Sequence, residues 1–176
     1  MQDEGSAEAW LADKPFKDQI KEPTNKPEFK KEQPEGDWDL EYVYGYRSSD
    51  ARQNLYFNDK SDVVYITAGL GVVLDVETNT QTFFGGDDVE NQEEALQNDL
   101  ENHNDDVLCL AISNDRELCL TGQQGPGGAA FLWDSETREV KKRFQLADGI
   151  KGIGACSICA HNKFVCLAEN TSDPVI

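Results

Sequence analysis

Short runs of β-branched and aromatic residues, separated by tight turn signals, recur along the chain from Trp38 onward. Turn signals such as Asn58-Asp59 and Thr78-Asn79 follow each run closely. Runs of this length, joined by turns of this kind, are typical of antiparallel strands. The first such group predicts a four-stranded meander made of NLYF (54–57), DVVYITAG (62–69), GVVLDVE (71–77) and TQTFF (80–84).

The same pattern occurs again further along the chain. A second group consists of VLCLAIS (107–113), ELCLTG (117–122), AAFLWDS (129–135) and EVKKRFQL (139–146), and IGACSICA (153–160) and KFVCLAE (163–169) open a third. Four strands in a period of roughly thirty to forty residues are typical of propeller blades. Trp133-Asp134 ends the third run of the second group, the place of the WD dipeptide in such repeats. The prediction is an all-β fold, a WD40 β-propeller portion of about two and a half four-stranded blades in an incomplete ring.

Composition divides the chain further. Residues 1–36 contain four prolines, many charges and few large apolar groups, so we expect an extended, largely disordered tail. An arm lying along a partner's surface, with Phe16, Ile20 and Phe29 as anchors, is the alternative. The predicted organisation is a tail over 1–36, a leading segment over 37–57, a first blade over 54–86, an insertion over 87–106, a second blade over 107–146 and a partial third blade over 150–176.

Charge is concentrated in the insertion, because 87–106 hold nine carboxylates and no Lys or Arg, half of the net charge of −18. An EF-hand loop needs a glycine at its sharp turn, and none lies in this range. The block therefore predicts a short exposed helix or a loop that projects from the propeller, with an ion or partner site as the alternative. Any partner of this block should present a basic patch, and nucleic-acid binding is not expected of so acidic a chain.

Membrane and secretory signals do not occur in the sequence. No apolar run approaches the roughly 20 residues that cross a bilayer, so we expect a soluble, intracellular protein that does not bind membrane. The five cysteines are an odd number and most have apolar neighbours, which predicts buried, reduced thiols.

Catalytic and metal-binding motifs are weak. Cys156, Cys159 and His161 have a spacing that can bind zinc or form a redox pair, but the cysteines lie three apart on a predicted strand and point to opposite faces. The glycine-rich stretch 122–128 lacks the Gly-Lys-Ser/Thr of a phosphate loop, so it predicts an inter-strand loop. His103 precedes a strand, where a turn-stabilising role is expected. We therefore predict a non-enzymatic protein without a cofactor or metal.

One segment resembles a known family. LEYVYGYRSSDARQNLYF (40–57), followed by VVYITAGLGVVLDVETNTQTFF, is similar to the HELP motif and first blade of the echinoderm microtubule-associated protein-like (EMAP-like) proteins. The most specific residues are Tyr44, Gly45, Tyr46 and Arg47, and the resemblance covers about residues 38–170. It implies a WD-repeat scaffold that associates with tubulin, microtubules and neighbouring microtubule-associated proteins, in the cytoplasmic cytoskeleton or the axoneme of a cilium or flagellum.

Within the leading segment, Leu40, Tyr42, Tyr44 and Tyr46 alternate with other residues, so we expect an extra strand or a wedge against a blade edge. Arg47 and Arg52 are expected to pair with Asp50 or with backbone carbonyls.

Two departures from the family pattern bear on the histidine network. The insertion separates Gly86 from His103, and the turn before the WD strand has no Asp, so a complete His–Asp–Trp network around Trp133 is not expected.

The length of the chain is a further departure. WD propellers close with about seven or eight blades. We therefore expect this sequence to be a piece of a longer protein rather than part of a ring that another chain completes.

Tubulin's acidic surface would repel a chain of this charge at long range, so binding would need local basic contacts. A WD40 protein–protein adaptor unrelated to microtubules is the alternative function. The candidate partner-binding residues are Lys14, Lys17, Lys21, Lys26, Lys30, Lys31, Lys141, Lys142 and Arg143.

Overall fold

The computed structural model describes residues 24–25, 40–85, 102–125, 129–145 and 150–170. The chain divides into two units, Met1–Trp38 and Asp39–Ile176, and the strands found in the described residues belong to the second. The six lysines of the predicted tail and most of the acidic insertion lie outside the described residues. Across the described ranges, no helix is long and apolar enough to cross a membrane.

Among the described residues, ten antiparallel strands form three sheets, which confirms the predicted all-β meanders. Each complete sheet follows chain order, β1-β2-β3-β4 and then β5-β6-β7-β8, and a two-stranded sheet pairs β9 with β10. The strands are β1 (Leu55–Phe57), β2 (Val63–Thr67), β3 (Leu70–Asp75), β4 (Thr80–Gly85), β5 (Val107–Ile112), β6 (Leu118–Gln123), β7 (Ala129–Asp134), β8 (Val140–Gln145), β9 (Ile153–Ile158) and β10 (Val165–Glu169).

Aromatic packing joins the first two sheets. Trp133 on β7 stacks on Phe84 of β4 with ring centroids 4.8 Å apart and planes at 15°, and Phe131 meets Phe84 edge to face. These three rings are almost completely buried, and each buried ring of this kind stabilises the fold by about 1.5–3 kcal/mol through the hydrophobic effect. A second apolar cluster, with Leu120 and Ile153, joins the second sheet to the third.

Matching turns connect the first and second strands of each sheet. The three turns contain Ser61, Arg116 and Asn162 at φ values of 71°, 65° and 54°. Each residue's backbone N–H donates to the carbonyl three positions earlier. Non-glycine residues rarely adopt positive φ. The occurrence of this uncommon turn at the same place in all three sheets reflects the internal repeat of the sequence.

Backbone hydrogen bonds at the other end of the strands join the sheets. Val107 N–H donates to Ala68 O at 2.8 Å, which ties the start of β5 to the β2–β3 turn. Gln124 and Gly152 form an isolated bridge between the second and third sheets. Gly152 has φ 148°, and a Cβ there would lie 2.8 Å from the Gln124 Cα, so this close approach requires glycine.

Candidate interaction surfaces and the buried histidine network

The segment 40–48 lies against the first sheet without forming a strand. Instead of a backbone ladder, the Gln81 side chain on β4 pairs with Val43: Val43 N–H donates to Gln81 Oε1 at 2.7 Å, and Gln81 Nε2 donates to Val43 O at 3.1 Å. Gln81 Nε2 also donates to the Tyr65 hydroxyl oxygen at 2.8 Å. One amide side chain thus anchors the segment.

The segment is not the extra strand that was one of the two expectations, and its alternate aromatics differ in burial. Tyr46 packs edge to face on Tyr65, with centroids 6.2 Å apart, and its hydroxyl donates to Asn54 Oδ1 at 2.5 Å. Tyr44, by contrast, is 92% exposed and contacts the ring of Tyr42 at 4.8 Å. The segment is held by hydrogen bonds of its backbone and hydroxyls, so the alternate aromatics need not all be buried.

Arg47 connects this segment to the start of the second sheet. Its Nε and Nη2 donate to the two carboxylate oxygens of Asp50 at 2.8 and 2.7 Å, and its Nη1 lies 3.0 Å from Asp106 Oδ2. The hydrogen bond to Asp50 raises the pKa of Arg47 and lowers the pKa of Asp50. Arg52, in contrast, donates to the neighbouring Ala51 carbonyl. The expected pairing with Asp50 is therefore made by Arg47, which also contacts the residue just before β5.

His103 lies at the centre of a buried polar network. Its Nε2 is 2.6 Å from Thr121 Oγ1, and its Nδ1 is 2.8 Å from Gln123 Oε1. Trp133 Nε1 donates to the same Thr121 oxygen at 3.0 Å, and Gln123 Nε2 donates to Asn104 Oδ1 at 2.7 Å. The five side chains join β6, β7 and the turn before β5. As expected, no Asp completes a His–Asp–Trp network around Trp133, but Gln123 Oε1 accepts where an Asp was sought.

The surroundings of His103 favour its neutral form. The residue has no exposed surface, and its ring lies edge to face on Phe84 and Phe131. Burial lowers the pKa of His103 from 6.5 to about 4, because a charged imidazole would lose its hydration here. A neutral ring has one donor and one acceptor nitrogen, which suits a contact with Gln123 on one side and Thr121 on the other. His103 was predicted to stabilise a turn. It lies before β5 as expected, but its side chain is also part of the buried core.

Asp134 takes no part in that network and instead caps the β7–β8 turn. It accepts backbone N–H groups of Glu136 at 3.0 Å and Thr137 at 2.9 Å, which lower the pKa of its carboxyl. Asp75 makes the equivalent contacts after β3, with Glu77 and Thr78 at 2.8 and 3.1 Å. A repeated Asp-x-Glu-Thr motif in the sequence, at 75–78 and 134–137, was the signal that could have revealed this shared turn.

Comparisons with known proteins match the anchored segment and the sheets. The HELP motif family model matches residues 33–72. The chain is 41% identical over 171 residues to the ciliary WD repeat-containing protein ctxp80 of Euplotoides octocarinatus, covering 97% of this chain and 24% of that protein. This chain belongs to the EMAP-like family of HELP-motif, WD-repeat proteins.

Other relatives agree with that assignment. Echinoderm microtubule-associated protein-like 2 of Rattus norvegicus is 33% identical over 124 residues, 69% of this chain and 17% of the relative. Echinoderm microtubule-associated protein-like 1 of Homo sapiens is 39% identical over 84 residues, 48% of this chain and 8% of the relative. The chain thus spans about a quarter or less of the length of these curated relatives.

A solved structure supports the fold alone. The β-propeller domain of Cps50 (Swd1) from Myceliophteria thermophila aligns with a TM-score of 0.50 and 15% identity, covering 73% of this chain and 35% of that chain. The two four-stranded sheets of this EMAP-like chain are therefore propeller blades, and β9 and β10 are the first strands of a third.

Of the predicted basic contacts of this EMAP-like chain, the three that lie in the described residues are on β8, the outer strand of the second blade. Lys141 is 3.1 Å from Glu139 Oε2 and 3.6 Å from Asp134 Oδ2. Lys142 Nζ lies 5.3 Å from the ring of Phe144, whereas the Arg143 guanidinium lies 5.9 Å from the ring of Phe131. The pleat thus divides three sequence neighbours between two faces of the blade, so they do not form one cluster.

The cysteines of this EMAP-like chain occupy several environments. Cys109 and Cys119 are buried, as predicted, but Cys166 is exposed. Cys159 lies beyond the end of β9, in the turn, where its sulfur accepts the N–H groups of Lys163 and Phe164 at 3.2 Å each. These backbone contacts lower the pKa of Cys159. Within the described ranges, no group of three metal-ligating side chains is assembled.

Proposed function

We propose that this chain is part of a non-enzymatic scaffold that associates with microtubules, with the ciliary axoneme as its expected place. The observation that carries the proposal is the match along 97% of the chain to a protein named as a ciliary WD-repeat protein. The two relatives named as microtubule-associated support the same class of partner. In such proteins the propeller presents surfaces, and neighbouring proteins bind to them.

The positions of the reactive side chains support a non-enzymatic role. His103 is used in the core, between Thr121 and Gln123, and has no exposed surface. Burial raises the pKa of Cys119, so its thiol stays protonated and unreactive at neutral pH. His103 and Cys119 are thus engaged in the packing of the blades.

The net charge favours a fixed place among several neighbours over salt-sensitive binding to a bare lattice. A charge of −18 and the acidic surface of tubulin repel one another at distances up to about a Debye length, about 8 Å at physiological salt. Contacts at shorter range must then come from local basic groups. Of the predicted basic residues, Lys141, Lys142 and Arg143 on β8 are the ones that the structure describes.

Co-sedimentation tests the proposal directly. The intact chain, and a form that lacks residues 1–36, are each mixed with assembled microtubules and with isolated axonemes, and the pellets are quantified. We expect the intact chain to pellet with axonemes more completely than with bare microtubules. The proposal fails if the intact chain stays in the supernatant with both.

A WD40 adaptor unrelated to microtubules is the second candidate, and the net charge is the observation that favours it. A pull-down from ciliary or cytoplasmic extract, before and after tubulin is depolymerised, separates the two functions. Partners that remain bound after depolymerisation support the adaptor. Partners that leave together with tubulin support the cytoskeletal scaffold.

A further inference from the structure

Two cysteines meet between the second and third blades. Cys109 lies on β5 and Cys156 on β9, and β9 packs against β5 and β6. The Cys109 thiol donates weakly to Ile153 O of the third blade at 3.6 Å. The Cys156 thiol donates to Leu120 O of the second blade at 3.4 Å. Each sulfur therefore reaches across the interface to the backbone of the other blade.

A β-bulge brings Cys156 onto the interface side of β9. Residues three apart on a regular strand point to opposite faces, and Ile153 and Cys156 are three apart. The ladder between β9 and β10, however, skips Gly154. The extra residue puts Ile153 and Cys156 on the same face, where both belong to the apolar cluster between the second and third blades.

Gly122 makes room for Cys109 on the opposite side of the same interface. Cys109 pairs with Gly122 in the ladder between β5 and β6, and a Cβ at Gly122 would lie 2.8 Å from Cys109 Sγ. The two thiol groups are hydrogen-bonded to each other, and this bond together with burial raises the pKa of Cys156. Two thiols that face one another from neighbouring strands are the arrangement from which a disulfide can form.

The other three cysteines are placed differently. Cys119 belongs to the apolar cluster between the first and second blades, Cys159 lies in the β9–β10 turn, and Cys166 is exposed. Burial as a small apolar residue accounts for Cys119. It does not account for two thiols, from two different blades, that are hydrogen-bonded to each other.

We propose that Cys109 and Cys156 are a modification site, which hydrogen peroxide oxidises to a disulfide that joins the second blade to the third. Cys156 is less buried than Cys109 and reacts first: its sulfur attacks the O–O bond, which gives a sulfenic acid and one water. The Cys109 sulfur then attacks the sulfenic sulfur, so that the S–S bond forms, the S–O bond breaks and a second water leaves. The two thiols lose two electrons and two hydrogens, and one peroxide is reduced to two waters.

The site responds to sustained oxidation rather than to a brief exposure. Only the thiolate attacks a peroxide, and the raised pKa of Cys156 keeps its thiol protonated at neutral pH. A dithiol reductant reverses the reaction by thiol–disulfide exchange. This inference goes beyond the microtubule proposal and does not depend on it, because it concerns only how two blades are held together.

The test maps the disulfide in the full chain by mass spectrometry. The parent protein carries Cys159→Ser and Cys166→Ser, which removes the two thiols outside the blade interfaces. Trypsin then leaves each remaining cysteine in its own peptide: Cys109 in 61–116, Cys119 in 117–138 and Cys156 in 152–163. The protein is incubated with hydrogen peroxide for several hours, free thiols are blocked with N-ethylmaleimide in urea, and the digest is analysed with and without dithiothreitol.

Three further variants are made in this parent. Cys156→Ser and Cys109→Ala each remove one member of the pair, and Cys119→Ala is the matched control, because Cys119 is equally buried but faces the first blade. Circular dichroism verifies that each variant is folded. Cys156→Ser changes a half-buried position, so it keeps the test decisive if Cys109→Ala does not fold.

We expect peptides 61–116 and 152–163 to appear as one cross-linked species that dithiothreitol separates. Cys156→Ser and Cys109→Ala should abolish this species, and Cys119→Ala should retain it. The oxidised parent should stay monomeric on a non-reducing gel. Its Tm should rise by roughly 5–10 °C relative to the reduced parent, because the disulfide closes a long loop in the unfolded chain.

Several results would overturn the site. One is a digest in which Cys156 is free or carries a sulfinic acid while Cys109 remains a thiol. Another is a cross-link to Cys119, or a dimer band that shows the disulfide to join two molecules. A cross-link that leaves the Tm unchanged would also contradict the proposal, because the bond would then not hold the two blades together.

Discussion

Acidification should weaken the fold through His103 over a defined pH range. The folded state lowers the pKa of His103 from 6.5 to about 4 because the ring is buried. His103 therefore takes up a proton near pH 6.5 in the unfolded chain, but only near pH 4 in the folded chain. Stability is complete above about pH 6.5 and falls below it, by about 1.4 kcal/mol for each pH unit. From pH 6.5 to pH 5.0 the expected loss is about 2 kcal/mol.

The carboxyl groups of Asp75 and Asp134, which cap turns, titrate below this window. The pKa values of Asp75 and Asp134 are lowered from 3.8, so the stability that their ionised forms contribute is lost only as the pH falls below about 3.8. The isoelectric point is near 4.3, where solubility is lowest, so measurements should stop at about pH 5.0. Within these limits the pH dependence reports the buried imidazole.

Urea unfolding, followed by the fluorescence of the buried Trp133, gives the free energy of unfolding at each pH from 7.5 to about 5.0. His103→Gln should lower stability at pH 7.5 and remove the slope below about pH 6.5, because nothing remains to titrate at that position. His161→Gln, in the exposed β9–β10 turn, should keep the wild-type slope. The reasoning is refuted if His103→Gln retains the slope, or if the wild type loses less than about 0.5 kcal/mol by pH 5.0.

Three further substitutions test single contacts. Arg47→Lys keeps the charge but loses the two-point hydrogen bond, so urea unfolding should show a loss of about 1 kcal/mol, whereas Arg52→Lys should show none. Gln81→Leu removes both hydrogen bonds to Val43, so hydrogen exchange of the Val43 N–H should become faster while the strand cores stay protected; unchanged exchange would contradict the anchoring role. Gly122→Ala places a Cβ 2.8 Å from a cysteine sulfur and from an isoleucine Cβ, so thermal unfolding should show a loss of about 1–3 kcal/mol, and a wild-type Tm would contradict the close packing at this interface.

The strands were predictable because their signals are local. Alternating β-branched and aromatic residues predict a half-buried strand, and the tight turns between them predict antiparallel pairing. The segment VLCLAIS was predicted as a strand over 107–113, and β5 extends over Val107–Ile112. The position of the insertion follows in the same way, since β4 ends at Gly85 and β5 begins only at Val107.

The histidine network was not predictable from the motif alone. An Asp was sought in the turn before the WD strand, and its absence predicted that a complete His–Asp–Trp network would not form. The structure places the carbonyl oxygen of Gln123 at 2.8 Å from His103 Nδ1, and a neutral amide can accept there as a carboxylate would. Which acceptor reaches a buried imidazole depends on how β6 packs against the turn before β5, and residues twenty positions apart carry no local sign of that contact.

The leading segment and the basic residues show the same division. The alternation from Leu40 to Tyr46 predicts an extended backbone, which the segment has, but the side chain of Gln81 replaces the strand partner that alternation suggests. Adjacent cations on β8 predict a basic strand edge, but only the packing of Phe131 and Phe144 assigns each cation to a neighbouring blade.

By itself, the sequence of this EMAP-like chain determined the meanders, the internal repeat, the acidic insertion and the family. These features depend on backbone preference and burial pattern over a few consecutive residues, which the sequence contains directly. The tertiary structure alone decided which polar groups meet: Gln123 at His103, Gln81 at Val43, and Arg47 between Asp50 and Asp106. Each buried donor or acceptor needs a hydrogen-bond partner, and many residue types could serve as that partner. Only the packing of the strands decides which residue lies close enough to make the bond.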